Sequence, residues 1–336
     1  MMRSAAQILV LAFALNVVSA TKLVLTGSTT LIPEDSTIFQ LDTETGNQTV
    51  LLNVAQPDED LAAYSDATVC GTTYYAVFAN PPADFGIFSV DLQTNTFLAR
   101  THTSNLWHKL ACDPTDDSKL LGVSSDVAGV FYIAKFDLVT NEDTTIAAFP
   151  DQAGEWAGYD CQFAFDSDTK PTSLYVSWPY LGEVITTGGP AGGVLLELDV
   201  QTGQQLFTAQ FPMPKPEYGQ PYFMVPSSLK NNTMSGVMWY YHAGATILRW
   251  TQLTLPANDG ETIAYDPQSS TDVTSDAWSA SKPQVVCNDG YLYTFAEKTS
   301  SIMSVSQFDT KSGALVKSFK LKTQESQRYG ALACNE

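Results

Sequence analysis

Positive charge is scarce in this chain: 17 lysines and arginines stand against 36 aspartates and glutamates among 336 residues, for a net charge of −19. A nucleic acid is gripped through its phosphates by clustered Lys and Arg, so that class of partner is not expected, and anionic membrane surfaces are disfavoured on the same ground. Histidine is scarcer still, with only His102, His108 and His242 to serve as a general base. Five cysteines in a chain of this length do not make a disulfide-stapled miniprotein, and no CxxC pair suggests a zinc site. There is no Gly-x-Ser-x-Gly elbow of the serine hydrolases. Beyond residue 20 no apolar run approaches the roughly 20 residues needed to span a bilayer. What the chain does have is 44% hydrophobic residues, enough for a sizeable core and too many for disorder.

The first twenty residues carry one positive charge at Arg3, an apolar run from Ala5 to Val18, and the small-residue triplet Val18-Ser19-Ala20. This pattern reads as a secretory signal peptide over 1–20, followed by a single domain over 21–336 in a secreted, extracellular protein. Two sequons, at Asn47 and Asn231, lie in polar turn-like stretches where a glycan is tolerated.

Five segments superimpose: IFQLDTETG (38–46), IFSVDLQTN (87–95), YIAKFDLVTN (132–141), LLELDVQTG (195–203) and VSQFDTKSG (305–313). Each is a strand that ends in a turn. Asp accepts backbone N–H bonds there, and Gly or Asn tolerates positive φ. The turn aspartates, Asp42, Asp91, Asp137, Asp199 and Asp309, are separated by 49, 46, 62 and 110 residues. The last gap is about two periods, and Thr251 stands where the missing Asp would be. A two-stranded hairpin precedes the strand in each unit. Four short strands every 46–62 residues are the signature of a β-propeller blade. GALACNE (330–336) reads as the first strand of a unit, and TKLVLTGST (21–29) as the second strand of a unit lacking its first. The expected fold is therefore all-β: a six-bladed β-propeller closed by pairing of the C-terminal strand with the N-terminal blade. Seven blades are the alternative, because 255–281 is long enough to hold extra strands.

The Asp-x-x-Thr-Gly turns resemble those of quinoprotein-like and other YVTN-type propeller repeats. Six-bladed secreted propellers include the gluconolactonase and strictosidine-synthase-like families. That resemblance implies an enzymatic alternative, with acidic and amide ligands around a central calcium or an acid–base pair.

Cys70, Cys112, Cys161, Cys287 and Cys334 fall at one place in the first strand of their units. Equivalent positions on neighbouring inner strands are expected to lie beyond the roughly 7 Å Cα limit for a disulfide, which favours buried thiols packed between blades. Pairing of neighbours, for example Cys287 with Cys334, is the alternative that secretion supports. A metal-binding or reactive thiol is the third reading.

Every connection between blades carries an aromatic residue. Tyr64, Trp107, Trp156, Tyr159, Tyr222, Trp278 and Tyr329 are thus candidates to ring the mouth of a central channel, beside the charged Glu155, Lys282 and Arg328. Aromatic platforms with a few polar groups suit a sugar or an aromatic small molecule. The competing reading is that these rings only wedge adjacent sheets together. The long Gly-rich stretch 179–193 reads as a lid or as a plain surface insertion. For catalysis, His108 is the candidate base, with Asp66 and Asp160 as its partners. The hairpin-turn acids Asp113, Asp116, Asp117, Asp166 and Asp168 read as solvated, with calcium as the alternative; no other cofactor is identified. The leading expectation is a secreted propeller binding a small molecule, glycan or extracellular protein. An extracellular hydrolase, lactonase-like enzyme or isomerase is the first alternative, and a structural matrix protein the second.

Overall fold

The computed structural model describes residues 21–29, 35–55, 66–80, 84–126, 128–149, 162–166, 171–180, 192–210, 221–230, 233–242, 245–265, 271–273, 284–287, 289–299, 302–321 and 327–335. The signal-peptide expectation for 1–20 lies outside these residues.

All regular structure among the described residues is β. Sheet I holds β1 (Lys22–Thr29), β2 (Asp35–Asp42) and β3 (Gln48–Ala55). Sheet II holds β4 (Ala67–Cys70), β5 (Thr73–Asn80), β6 (Asp84–Asp91) and β7 (Thr96–His102). Sheet III holds β8 (Leu106–Cys112), β9 (Lys119–Ser125), β10 (Phe131–Asp137) and β11 (Glu142–Ala148). Sheet IV holds β12 (Gln162–Phe165), β13 (Ser173–Tyr180), β14 (Gly192–Asp199) and β15 (Gln205–Gln210). Sheet V holds β16 (Pro221–Lys230), β17 (Thr233–His242), β18 (Ala245–Thr254), β19 (Ala264–Tyr265) and β20 (Thr271–Val273). Sheet VI holds β21 (Gln284–Val286), β22 (Tyr291–Thr299), β23 (Ile302–Asp309) and β24 (Leu315–Lys320). The last strand, β25 (Gln327–Asn335), returns to sheet I.

Each sheet is an antiparallel meander, and the inner strands β25, β4, β8, β12, β16 and β21 touch one another in cyclic order. This is a β-propeller. The expectation of six like blades is corrected: five sheets are regular four-stranded blades, while the sheet over 221–273 has five strands. Thr251 is no turn residue. It sits inside β18 opposite Gly236, and the strand runs on to Thr254. The outer position beside β18 is split between β19, which pairs with Leu253 and Thr254, and β20, which pairs with Leu248 to Trp250. The segment proposed to hide a seventh blade thus adds strands to an existing sheet, and no seventh sheet occurs among the described residues.

Both faces of a blade must be covered, because alternate residues of each strand project to opposite sides. In β1, Leu23 and Leu25 join a cluster with Val285, Phe295 and Phe319 of sheet VI, while Val24 joins one with Tyr74, Ala76 and Phe78 of sheet II. Two further cores lie between sheets II and III, around Trp107 and Phe136, and between sheets III and IV, around Phe131 and Leu196. The hydrophobic material is therefore divided into slabs between neighbouring sheets rather than gathered in one centre.

The five repeat turns have one geometry. Asp42 Oδ1 accepts the N–H of Glu44 and Thr45 and the Thr45 hydroxyl at 3.0, 2.7 and 2.9 Å. Asp199 does the same with Gln201 and Thr202, and Asp309 with Lys311 and Ser312. Asp91 and Asp137 accept the two N–H bonds of their turns. The turn closes at positive φ on Gly46, Asn95, Asn141, Gly203 and Gly313. Four of these residues rest on the preceding sheet: Gly46 on Phe319, Asn141 on Thr101, Gly203 on Ala147 and Gly313 on Trp250.

Sheet I is completed as expected, by β25 pairing antiparallel with β1 from Lys22↔Asn335 to Thr29↔Gln327. The cysteine expectation is corrected. Cys70–Cys112 joins sheets II and III, and Cys287–Cys334 joins sheets VI and I, with Cα separations of 5.6 and 5.7 Å. Inner strands near the ring axis approach more closely than equivalent positions on an idealised ring allow. Each bond closes a span of 42 or 47 residues, which in the chain-entropy account stabilises the fold by about 4 kcal/mol. Cys161 lies outside the described residues. So does most of the Gly-rich connection, whose ends pair as Pro179↔Gly193 and Tyr180↔Gly192.

A Cβ on Gly313 would lie 1.9 Å from Trp250, at φ +67, whereas Gly71 at φ +61 has nothing within 4 Å. Gly71→Ala is expected to lose about 1 kcal/mol and Gly313→Ala about 3–4 kcal/mol in urea unfolding, the difference being the forced repacking. The turn carboxylates Asp42, Asp91, Asp137, Asp199 and Asp309 are all held below the ordinary carboxylate range by their turn donors. A depressed folded pKa contributes stability above the unfolded value of about 3.9 and loses it as pH falls through the folded value. The melting temperature should be nearly flat from pH 7 to 5 and fall below about pH 4, with an earlier fall abolished in none of the single Asp→Asn variants.

Candidate functional site

Strands β4 and β8 begin, and the β9–β10 connection turns, on one side of the ring, and the repeat turns lie on the other. The inner strand β8 begins on the first of these sides and carries three of the expected side chains in sequence: Trp107, His108 and Lys109. Its pairing with β9 slips there. Trp107 lies opposite Ser124 and Lys109 opposite Val123, so His108 is the extra residue of a β-bulge. A bulge re-aims the side chains on either side of it.

Trp107 is 0% exposed and packs edge-on to Phe136, 6.2 Å between centroids, in the core between sheets II and III. Its ring is committed to packing, which corrects its assignment to an open channel mouth. Gly122 makes the room: a Cβ there would meet Lys109 O at 2.0 Å and the Trp107 ring.

His108 turns the other way, towards sheet IV. Its ring lies 4.9 Å from Phe131 and 6.3 Å from Phe163, in a nest that includes Phe149. Nε2 is 2.8 Å from Ser125 Oγ. Burial pushes its pKa down to about 4, so the imidazole is neutral at pH 7. Asp66 does not serve it. That carboxylate, 3% exposed, accepts the Leu110 N–H at 2.8 Å and pairs with Lys109 Nζ at 3.2 Å, tying sheet II to sheet III. The structure thus brings Asp66 and Lys109 together and separates both from His108.

Asp160, Tyr64, Glu155, Trp156, Tyr159, Trp278 and Lys282 lie outside the described residues. Three candidates are placed by backbone alone: Tyr222 at a bulge of β16, and Arg328 and Tyr329 in β25 opposite Ser28 and Gly27. Asn47 is exposed at the end of the first repeat turn, and Asn231 is outside the described residues.

One turn acid is corrected. Asp113 is 2% exposed and binds Lys135 Nζ at 2.6 Å and the Thr115 hydroxyl at 2.6 Å. Burial pushes its pKa up, but the Lys135 and Thr115 donors outweigh this and hold it low. Asp166 is exposed, as expected of a turn acid, and accepts from Thr172 and Ser173. Asp116, by contrast, stays partly exposed, with its pKa held to about 2 by Ser118 and Lys119. Among the described residues no group of three or more metal-ligating side chains could hold an ion.

Sequence reasoning missed Ser125. The only available signal was its place at the end of the strand facing Leu106, and the bulge that brings it to His108 is invisible without pairing.

No protein-family model and no curated protein matches the chain. Among solved structures it is similar to TolB from Acinetobacter baumannii, at 12% identity and a TM-score of 0.55, over 94% of this chain and 66% of that one. The shared element is the β-propeller. A putative 6-phosphogluconolactonase from Bacteroides uniformis is 12% identical with a TM-score of 0.46, over 92% and 99% of the two chains. The periplasmic gluconolactonase PpgL of Pseudomonas aeruginosa is 10% identical with a TM-score of 0.47, over 93% and 99%. Likeness at these identities shows the fold alone, and the chain spans about two thirds of the TolB structure.

Removing Lys109 would strand the Asp66 carboxylate in a buried position. Lys109→Ala is expected to lose about 3 kcal/mol in urea unfolding. The double variant Asp66→Asn with Lys109→Met should recover part of that loss, because no uncompensated charge remains.

Proposed function

We propose that the protein is an exported, glycosylated propeller of the quinoprotein-like repeat type that binds a small molecule, glycan or protein partner on the side of its interblade connections. The observation that carries this reading is the difference in kind between the polar groups on the two sides of the ring. Every repeat-turn aspartate is consumed by donors of its own turn. The opposite side collects the mixed pairs Asp66–Lys109 and His108–Ser125 at strand ends, and the sequence puts an aromatic residue in four of the six interblade connections, at Tyr64, Trp156, Tyr218 and Trp278. Loops on a closed, rigid ring are where binding groups vary freely. Export is supported by the signal-like residues 1–20 and by two disulfides, which persist in oxidising compartments.

The test is a thermal-shift series of the mature protein against sugars, aromatic metabolites and Ca²⁺. A ligand of the native state raises the melting temperature with concentration, by the equivalent of about 2.7 kcal/mol at a hundredfold excess over Kd. The shift is expected to vanish in Trp278→Ala or Trp156→Ala while the unliganded melting temperature stays put. A blank across the whole panel removes the small-molecule and glycan readings and leaves a protein partner or a matrix role.

A further inference from the structure

We propose that Ser125 is a nucleophile activated by His108, accepting acyl groups from small esters and lactones. This deepens the reading above, since it rests on the same side of the ring, and it concerns a serine that no motif marks.

Three observations converge. First, Ser125 Oγ and His108 Nε2 stand 2.8 Å apart, within the reach a nucleophile and its base require. Second, His108 occupies a β-bulge and its ring is held between Phe131 and Phe163, so a single ring orientation faces the serine. Third, the neighbouring carboxylate does not compete for the imidazole: Asp126 is bound by the Ala128 and Val130 N–H groups and by the Tyr132 hydroxyl. The imidazole is neutral at pH 7, and in its Nδ1–H tautomer Nε2 accepts the serine proton.

In the step itself, Ser125 Oγ bonds to the acyl carbon and its proton passes to Nε2. The same proton then goes to the alkoxide oxygen as the ester C–O bond breaks. Water repeats the sequence, freeing Ser125 and releasing the carboxylic acid. Burial makes the imidazole a weaker base, so its assistance lies at the low end of the usual range; an ester with a good leaving group acylates Ser125 with little proton donation, whereas water still needs Nε2, and the acyl-serine should accumulate. Ser125 is only 7% exposed, which restricts the acyl group to a small one.

The experiment treats the mature, oxidised protein with p-nitrophenyl acetate and maps the adduct by peptide mass spectrometry. One acetyl group on Ser125 is expected, with a stoichiometric burst of p-nitrophenol. His108→Gln should slow the burst by about a hundredfold at unchanged melting temperature, and Ser124→Ala should leave it intact. No acetyl group on Ser125 of the wild-type protein, or an equal burst in His108→Gln, overturns the proposal: the pair is then two buried polar groups satisfying one another. Repeating the thermal-shift series on Ser125→Ala separates this from the binding reading, since a ligand shift that survives there leaves binding standing whatever the acylation result.

Discussion

The structure depends on the contact between each repeat turn and the sheet before it. A blade is apolar on both faces, so it is stable only between two neighbours, and its neighbours must be held at fixed height and register. The Asp-capped turn does this. Its carboxylate freezes the loop from within, and the residue at positive φ meets the preceding sheet, as a glycine without a side chain against Phe319, Ala147 or Trp250 and as Asn141 accepting from the Thr101 hydroxyl. Side chains of the preceding sheet then reach across: Lys317 Nζ donates to Thr43 O and Glu44 O, Lys135 to Gln201, and Gln252 to Lys311 O.

Sheet V shows what happens when that device is missing. Without an aspartate at Thr251 the strand does not stop, and the chain reverses further on, through Asn258 to Gly260. There Asp259 caps the Thr208 N–H of sheet IV at 2.6 Å, and Gly260 and Ile263 bond to the backbone at Thr208 and Gln210. The contact with the preceding sheet is kept, but it is made by main chain in place of a compact turn. The same constraint is met by different chemistry.

This explains which features were legible. The turns could be read because their signal is local: an aspartate, a hydroxyl three residues on, then Gly or Asn. The closure by β25 could be read because the two half-units were incomplete in complementary ways. The buried-thiol reading of the cysteines gave way to its alternative, the pairing of neighbours that includes Cys287 with Cys334, because the spacing of inner strands is set by the ring, not by any residue near Cys70 or Cys287. Trp107 and the partner of His108 were misplaced for a related reason: one extra residue in β8 turns Trp107 into the core and His108 towards Ser125 and sheet IV instead of Asp66, and bulges leave no mark in hydrophobic periodicity. Asp113 resembled its solvated neighbours because Lys135, its partner, is two strands away.

The strand that completes sheet I comes last in chain order among the described strands. Until residues 327–335 are made, β1 offers a bare edge and the slabs on both sides of sheet I lack Leu332 and Ala333. The ring therefore has no closed state until β25 is in place. Cys334 arrives with that strand, so oxidation to Cys287 records completion: in a pulse-labelled chain the Cys70–Cys112 bond has its partners in place hundreds of residues earlier than the bond that seals the circle.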